Sequence, residues 1–134
     1  MKKKYFKILK ICLIFLILYP SNSFADFKWK KIGANIQGTV FYVDLTSIKK
    51  TDKKVYFFSM TDYAKPTPLG DLSSRIYQEV NCLDYSYRYL KDFYYTQPMA
   101  NGEPSAIIDE VDVWNKNQKG SIGETMSKFV CNYK

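Results

Sequence analysis

Three cysteines are the residues of this 134-residue chain with the most definite chemistry. Cys12 lies inside an N-terminal apolar run, whereas Cys82 and Cys131 lie in the more polar remainder. The chain has no histidine and no Cys-x-x-Cys spacing, so it lacks the usual base and the usual redox arrangement that make a thiol reactive. A structural disulfide between Cys82 and Cys131 is therefore expected if the chain is exported to an oxidising compartment.

Other patterns that could carry chemistry are weak. Gly33 and Gly38 have the separation of two glycines in a phosphate-binding loop, but Thr39 replaces the lysine that reaches the phosphates. The acidic residues at 109–112 lack the alternating ligands and central glycine of a calcium loop. Serine nucleophiles have no histidine to activate them. The sequence predicts no metal, no cofactor and no catalytic residue, although paired carboxylates that cleave sugars leave no pattern in a sequence.

The first 25 residues have the order of a signal peptide. Four lysines fall within residues 2–7, an unbroken apolar run covers residues 11–19, and a polar stretch with a small final residue ends at Ala25. The run has nine residues, about half of the roughly 20 that span a bilayer as a helix. A retained anchor is therefore disfavoured, and no transmembrane segment is expected after cleavage.

Removal of the leader changes the composition of the chain. It takes away five of the 20 basic residues and none of the 13 acidic ones, which lowers the net charge from +7 to +2. A basic surface for nucleic acid is therefore not predicted. We predict a signal peptide over residues 1–25, cleavage between Ala25 and Asp26, and one domain over residues 26–134. Because Cys12 does not lie at the cleavage point, no lipid anchor is predicted.

The rest of the chain alternates short β-rich segments with turn signals. Aromatic and β-branched residues are concentrated in five segments that we predict to be strands, residues 27–32, 39–44, 53–60, 75–81 and 85–96. Polar turns are predicted at residues 49–52 and 82–84, and a proline-containing surface loop at residues 64–72. Asp44 is expected to cap a short helical turn. Residues 105–114 fit either an edge strand or an acidic connection, so their structure is left open.

A helix with a clear start signal is predicted at the C-terminal end. Ser121 and Glu124 are three residues apart, as in a capping box. Apolar residues then repeat at helical spacing, at Ile122, Met126, Phe129 and Val130. Cys131 lies beside this face, and period-two alternation points Cys82 inward, with Gln78 as the polar exception on its strand. The disulfide would then fix the helix to the sheet.

Tyrosine is the most frequent aromatic residue. Tyr85, Tyr87 and Tyr89 fall on one side of the fifth predicted strand, and Arg88 and Tyr94 fall on the other. Aromatic residues often supply the core and the cross-strand pairs of a sheet, which is the structural interpretation. The functional alternative is an exposed tyrosine-rich surface for a protein or a sugar, with Tyr85, Tyr87 and Tyr89 as the candidate binding residues.

Short motifs spread over the mature chain resemble the surface-adhesin protein E family. They are Val43-Asp44 followed by Ser47-Ile48, a strand at residues 74–82 with Glu79 before Asn81-Cys82, a turn at residues 99–102, Trp114, Gly120-Ser121 and the final Cys131. The resemblance covers essentially the whole mature chain. It implies an α+β fold in which an antiparallel sheet, of about five or six strands, carries a C-terminal helix held across one face by a disulfide.

The resemblance also implies a function, because the best-known members are bacterial surface proteins that attach to host matrix and serum proteins. We therefore expect an exported, non-enzymatic interaction module in the periplasm, at the cell surface or secreted from a Gram-negative bacterium. Its expected partner is a protein of the envelope or of the host matrix. The alternatives are a periplasmic binder of a small ligand, an inhibitor of another enzyme, and a hydrolase that uses carboxylates.

Overall fold

The computed structural model describes residues 26–134, so the predicted signal peptide and Cys12 lie outside the described residues. These residues form seven strands and one helix, namely β1 (Trp29–Ala34), β2 (Val40–Asp44), β3 (Lys49–Thr51), β4 (Lys54–Asp62), β5 (Ser73–Asn81), β6 (Tyr87–Tyr95), β7 (Ala106–Ile108) and α1 (Ile122–Asn132). Two 3-10 turns cover Leu45–Ser47 and Pro98–Ala100. Within this part of the chain, no helix has the length and apolar character needed to cross a membrane.

All strands belong to one antiparallel sheet. The strand order is β1-β2-β4-β5-β6-β7, and β3 pairs with β4 beside β2. The central pair, β4 and β5, is in register over nine residues, from Lys54 opposite Asn81 to Asp62 opposite Ser73. The predicted α+β fold is confirmed, with seven strands rather than five or six.

The short turn between β2 and β3 is fixed by two side chains. Asp44 Oδ1 accepts a hydrogen bond from the backbone N of Thr46 at 3.0 Å, which confirms the predicted cap. Ser47 Oγ accepts one from the backbone N of Phe58 at 2.8 Å. The Ser47 hydroxyl thus pairs with a backbone N–H of β4 that lies between the residues paired with β2 and those paired with β3.

Residues 49–52, predicted to be a polar turn, are mostly a strand. The first three form β3, whose pairing with β4 ends at Thr51 opposite Lys54. The chain reverses at Asp52 and Lys53, and Asp52 adopts a φ of 54°, which aspartate tolerates in a tight hairpin. All residues of β3 are exposed, so no apolar alternation marked it in the sequence.

A bulge in β6 changes which side chains share a face. Two consecutive residues of β5 pair with Tyr89 and Lys91, so Leu90 is the extra residue. An extra residue reverses the alternation of side chains beyond it. Tyr94 therefore lies on the same face as Tyr89, and the prediction that it lies on the opposite face was wrong.

Helix α1 packs across one face of the sheet, called here the covered face; the opposite one is called the open face. The buried core between helix and sheet consists of Val43, Val55, Phe57, Val80, Met126 and Val130. A disulfide joins Cys82 to Cys131, whose Cα atoms are 5.7 Å apart, and confirms the predicted pairing. The last turn of α1 is thereby fixed to the end of β5.

The start of α1 also agrees with the sequence. Ser121 Oγ accepts a hydrogen bond from the backbone N of Glu124 at 3.1 Å. The carboxylate of Glu124 accepts one from the backbone N of Gly120 at 2.6 Å. Two donors at the helix start are therefore satisfied, although the second lies one residue before the position that a capping box uses.

Candidate functional site

The three tyrosines predicted as binding residues lie in two different environments. Tyr85 precedes β6 in a turn with a φ of 56°, and Lys128 Nζ lies 5.8 Å from the centre of its ring. Tyr87 and Tyr89 are half-buried on the covered face, with ring centres 5.5 Å apart. Burial, reinforced by Tyr87 and Asp92, raises the pKa of the Tyr89 hydroxyl. A binding role for these tyrosines stays a prediction.

Tyr87 and Tyr89 line a cavity of about 180 Å³ between α1 and the sheet. The polar side chains around it bond to one another: Gln78 Nε2 donates to Ser59 Oγ, and Asn117 Nδ2 donates to Ser127 Oγ at 2.9 Å. Ligand pockets usually have volumes of about 300–1,000 Å³. The cavity is therefore small for an organic ligand, and these amide donors are already used.

An ion cluster joins three strands on the open face. The Glu79 side chain is 1% exposed, and its two oxygens lie 2.7 Å from Lys54 Nζ and from Arg88 Nε. The hydroxyl of Tyr56 donates to Glu79 Oε1 at 3.0 Å. Burial alone raises the pKa of Glu79, but these three hydrogen bonds outweigh it and hold the pKa below its usual value. Glu79 is therefore an ionised structural link.

Trp114 lies against the same cluster. Its ring centre is 5.4 Å from Lys54 Nζ and 4.7 Å from the guanidinium carbon of Arg88. The ring attracts both cations. A residue from beyond β7 thus contacts an ion cluster formed by β4, β5 and β6.

Arg75, also on the open face, has aromatic rather than acidic neighbours. Its guanidinium carbon lies 4.8, 4.9 and 4.7 Å from the ring centres of Phe27, Phe58 and Phe93. Among residues 26–134, no carboxylate forms an ion pair with it. Its Nε is buried without a hydrogen-bond partner. Sequence reasoning missed this group, because the three rings come from separate segments.

Carboxylates are spread over the domain rather than gathered for metal binding. Within the described residues, no group of three acidic or cysteine side chains is placed to hold a metal ion. Asp109 pairs with Lys91 at 2.8 Å on the surface. Burial, and then the negative charge of Asp112, raise the pKa of Asp92. Sequence reasoning considered Asp109 and Asp112 but not Asp92, because Asp92 was counted as part of a strand.

Residues 106–114, whose structure the sequence left open, form one edge of the sheet and are called here the edge segment. Beyond β7 the chain stays beside β6, and the backbone N of Asp112 donates to the carbonyl of Tyr89 at 2.9 Å. Large apolar side chains of this segment face solvent, at Ile107, Ile108, Val111, Val113 and Trp114. More than half of the described large apolar residues that are exposed lie here.

These features define a class of protein. It is a small antiparallel-sheet domain with its terminal helix fixed by a disulfide, an ion cluster around the buried Glu79, and an apolar edge exposed. Residues 29–132 match the family model described as Surface-adhesin protein E. The match covers most of the chain, which therefore belongs to the surface-adhesin protein E family.

Solved structures of Haemophilus influenzae protein E are similar to this chain. The selenomethionine form is 17% identical with a TM-score of 0.58, and the alignment covers 87% of this chain and 94% of that one. Crystal form II is 16% identical with a TM-score of 0.57, covering 84% and 91% of the two chains. At this identity the likeness concerns the fold. A comparison with curated protein sequences finds no significant match.

Proposed function

We propose that this protein is an exported, non-enzymatic adhesin-like module that binds a protein of the bacterial envelope or of the host matrix. Membership of the surface-adhesin protein E family supports the class of function. The observation that carries the proposal is the exposed apolar edge segment. Large exposed apolar patches mark interaction surfaces of soluble proteins, and five exposed large apolar residues are concentrated in this segment.

The geometry of the edge favours one mode of binding. β7 is the terminal strand of the sheet in the described chain, so one side of its backbone is free to pair with an added strand. The residues that follow alternate acidic with apolar character, at Asp109, Glu110, Val111, Asp112 and Val113. The fitting partner is an extended segment that carries basic and apolar residues.

Export is part of the proposal. The leader at residues 1–25, with cleavage between Ala25 and Asp26, would deliver the domain to the periplasm or the cell surface of a Gram-negative bacterium without a lipid anchor. The Cys82–Cys131 disulfide supports an oxidising compartment. Fractionation combined with protease treatment of intact cells tests the location. Digestion by external protease is expected for a host adhesin, whereas full protection leaves envelope proteins as the partners.

The binding surface is tested with a matched pair of variants. Ile107→Lys combined with Val111→Lys places two charges on the edge segment, whereas Ile36→Lys places one on the β1–β2 turn, where Ile36 is 96% exposed. The immobilised protein is exposed to envelope and matrix extracts, and retained proteins are quantified. We expect the double variant to retain its partner at least about tenfold less, a loss of about 1.4 kcal/mol, and Ile36→Lys to behave as wild type. Equal retention by both variants, or no specific retention by wild type, contradicts the proposal.

A further inference from the structure

A cavity of about 690 Å³ opens on the open face beside Arg75. One wall is formed by Phe27 and Trp29 at the start of the domain, and the other by the loop at residues 99–104. The volume lies within the range of about 300–1,000 Å³ that is usual for ligand pockets. Unlike the smaller cavity under α1, this one is lined by an arginine that forms no ion pair within the described residues.

Arg75 has the properties of an anion receptor. Arg75 lines the cavity, and its guanidinium forms no ion pair with any carboxylate of residues 26–134, so its charge is available to an anion. The comparison with Arg88 is informative, since that arginine lies on the same face and is paired with Glu79. A guanidinium presents a planar fork of donors that matches a carboxylate. The three phenyl rings around Arg75 fix its position and exclude water.

The wall beside Arg75 contains two aromatic rings. The rings of Phe27 and Trp29 are stacked, with centres 5.3 Å apart and an angle of 25° between their planes. The electron-rich face of an aromatic ring attracts the polarised C–H groups of a sugar. Asp26 and Glu103 also line the cavity, and carboxylates accept hydrogen bonds from hydroxyl groups. The negative charges of Asp26 and Glu103 disfavour a ligand that carries several negative charges.

The opposite wall is held in a strained conformation. Met99 and Ala100 adopt φ values of 59° and 53°, a region that costs a residue other than glycine about 1–3 kcal/mol. Asp62 Oδ1 accepts a hydrogen bond from the backbone N of Met99 at 2.7 Å, and Ser73 Oγ accepts one from that of Ala100 at 2.9 Å. These bonds fix the loop, and a preformed wall reduces the entropy lost when a ligand binds.

We propose that this cavity binds an acidic sugar with a single carboxylate, of the uronic acid class. The carboxylate accepts hydrogen bonds from Arg75, the ring stacks on Trp29, and hydroxyl groups donate to Asp26 and Glu103. This site is separate from the edge segment and is independent of the proposed protein partner.

The test is calorimetric or ligand-detected NMR titration of the oxidised protein, purified after export, with sodium glucuronate. A sugar of this size is expected to bind with a Kd on the order of 1 mM. Glucose, which lacks the carboxylate, is expected to bind at least about tenfold more weakly, and inorganic sulfate should not displace glucuronate. Equal binding of glucose and glucuronate, or equal competition by sulfate, overturns the proposal, as does the absence of glucuronate binding.

Variants locate the site. Arg75→Met is expected to weaken glucuronate binding at least about tenfold, whereas Lys91→Met, which removes another cation of the open face, should leave it unchanged. Trp29→Leu is a second variant in case Arg75→Met does not fold, and it should weaken binding without changing the net charge. The double variant Ile107→Lys with Val111→Lys should bind glucuronate as wild type, so failure of one proposal is distinguishable from failure of the other. Unchanged binding by Arg75→Met or by Trp29→Leu contradicts the assignment.

Discussion

The two faces of the sheet are stabilised by different forces. The covered face holds the buried apolar core and the disulfide, and its internal cavity is small. The open face holds the Glu79 ion cluster and the aromatic rings around Arg75. The contribution of apolar burial to the free energy of unfolding depends little on pH, whereas that of charge pairs changes with pH. The stability contributed by the open face is therefore expected to depend more strongly on pH than that contributed by the covered face.

Adjacent residues of β4 illustrate the contrast. Phe57 is fully buried in the core under α1. Phe58 points to the open face, where its ring centre lies 4.9 Å from that of Tyr77 and the same distance from the guanidinium carbon of Arg75. Phenylalanine thus fills the core at position 57 and contacts a cation at position 58.

The largest effect is expected on the covered face, from loss of the disulfide. Cys82→Ala combined with Cys131→Ala opens a loop with a sequence separation of 49 residues. In the chain-entropy model this lowers the free energy of unfolding by about 4 kcal/mol, which urea denaturation measures. Reduced wild-type protein should give a similar loss. A loss below about 1 kcal/mol would mean that packing alone holds the helix, contrary to the entropic estimate.

The contrast between the faces is tested directly by truncating the two phenylalanines. Phe57→Ala leaves a cavity in the core and is expected to destabilise the protein by about 3 kcal/mol. Phe58→Ala removes a half-buried ring and a cation contact, so about 1 kcal/mol is expected. Urea denaturation of both variants gives the difference. Equal losses would show that the open face is as tightly packed as the core.

The ion cluster gives a pH-dependent prediction. Glu79→Gln should lower the free energy of unfolding by about 2 kcal/mol near neutral pH, because charge-assisted hydrogen bonds to Lys54 and Arg88 are lost. Since the folded-state pKa of Glu79 is lowered, its contribution is present above the ordinary glutamate pKa of about 4.5 and is lost as the pH falls through the folded value. Denaturation of wild type and variant across this range should therefore converge in acid.

A matched control for this prediction is Asp109→Asn. Asp109 also pairs with a lysine, Lys91, but its side chain is 72% exposed. An exposed pair is worth little, so the loss should be about 0.5 kcal/mol or less. A pH-independent difference between Glu79→Gln and wild type would contradict the ionised state assigned to Glu79.

The smallest effect is expected at the start of α1. Ser121→Ala removes the acceptor for the backbone N of Glu124 and should destabilise the protein by about 1 kcal/mol. Ser121→Thr keeps a hydroxyl and should lose less than half of this. If alanine and threonine have equal effects in urea denaturation, the cap does not contribute.

Features with local signals could be predicted from the sequence. The caps at Asp44 and Ser121 depend on neighbours within three residues. The disulfide followed from having only two cysteines after the leader, so no geometric knowledge was needed. In such cases the sequence pattern and the interaction lie within the same few residues, or only one pairing is available.

Features that depend on strand register could not be predicted. The bulge at Leu90 places Tyr94 on the face opposite to the one that simple alternation assigns. Glu79 meets Arg88 and Lys54 only because β5 lies between β4 and β6 in one particular register. The rings around Arg75 likewise come from three segments. Register is set by the whole sheet, and a single sequence does not contain it in any local pattern.

The position of the disulfide has a mechanical consequence when force is applied between the two ends of the domain. A pull on the C-terminus reaches Cys131 and passes directly into Cys82, so the chain between them bears no tension while the bond is intact. Those 49 residues, at about 3.5 Å each, correspond to about 170 Å of extension that force alone cannot release. Within that protected length lie β6, β7 and the edge segment, which would keep its shape under load.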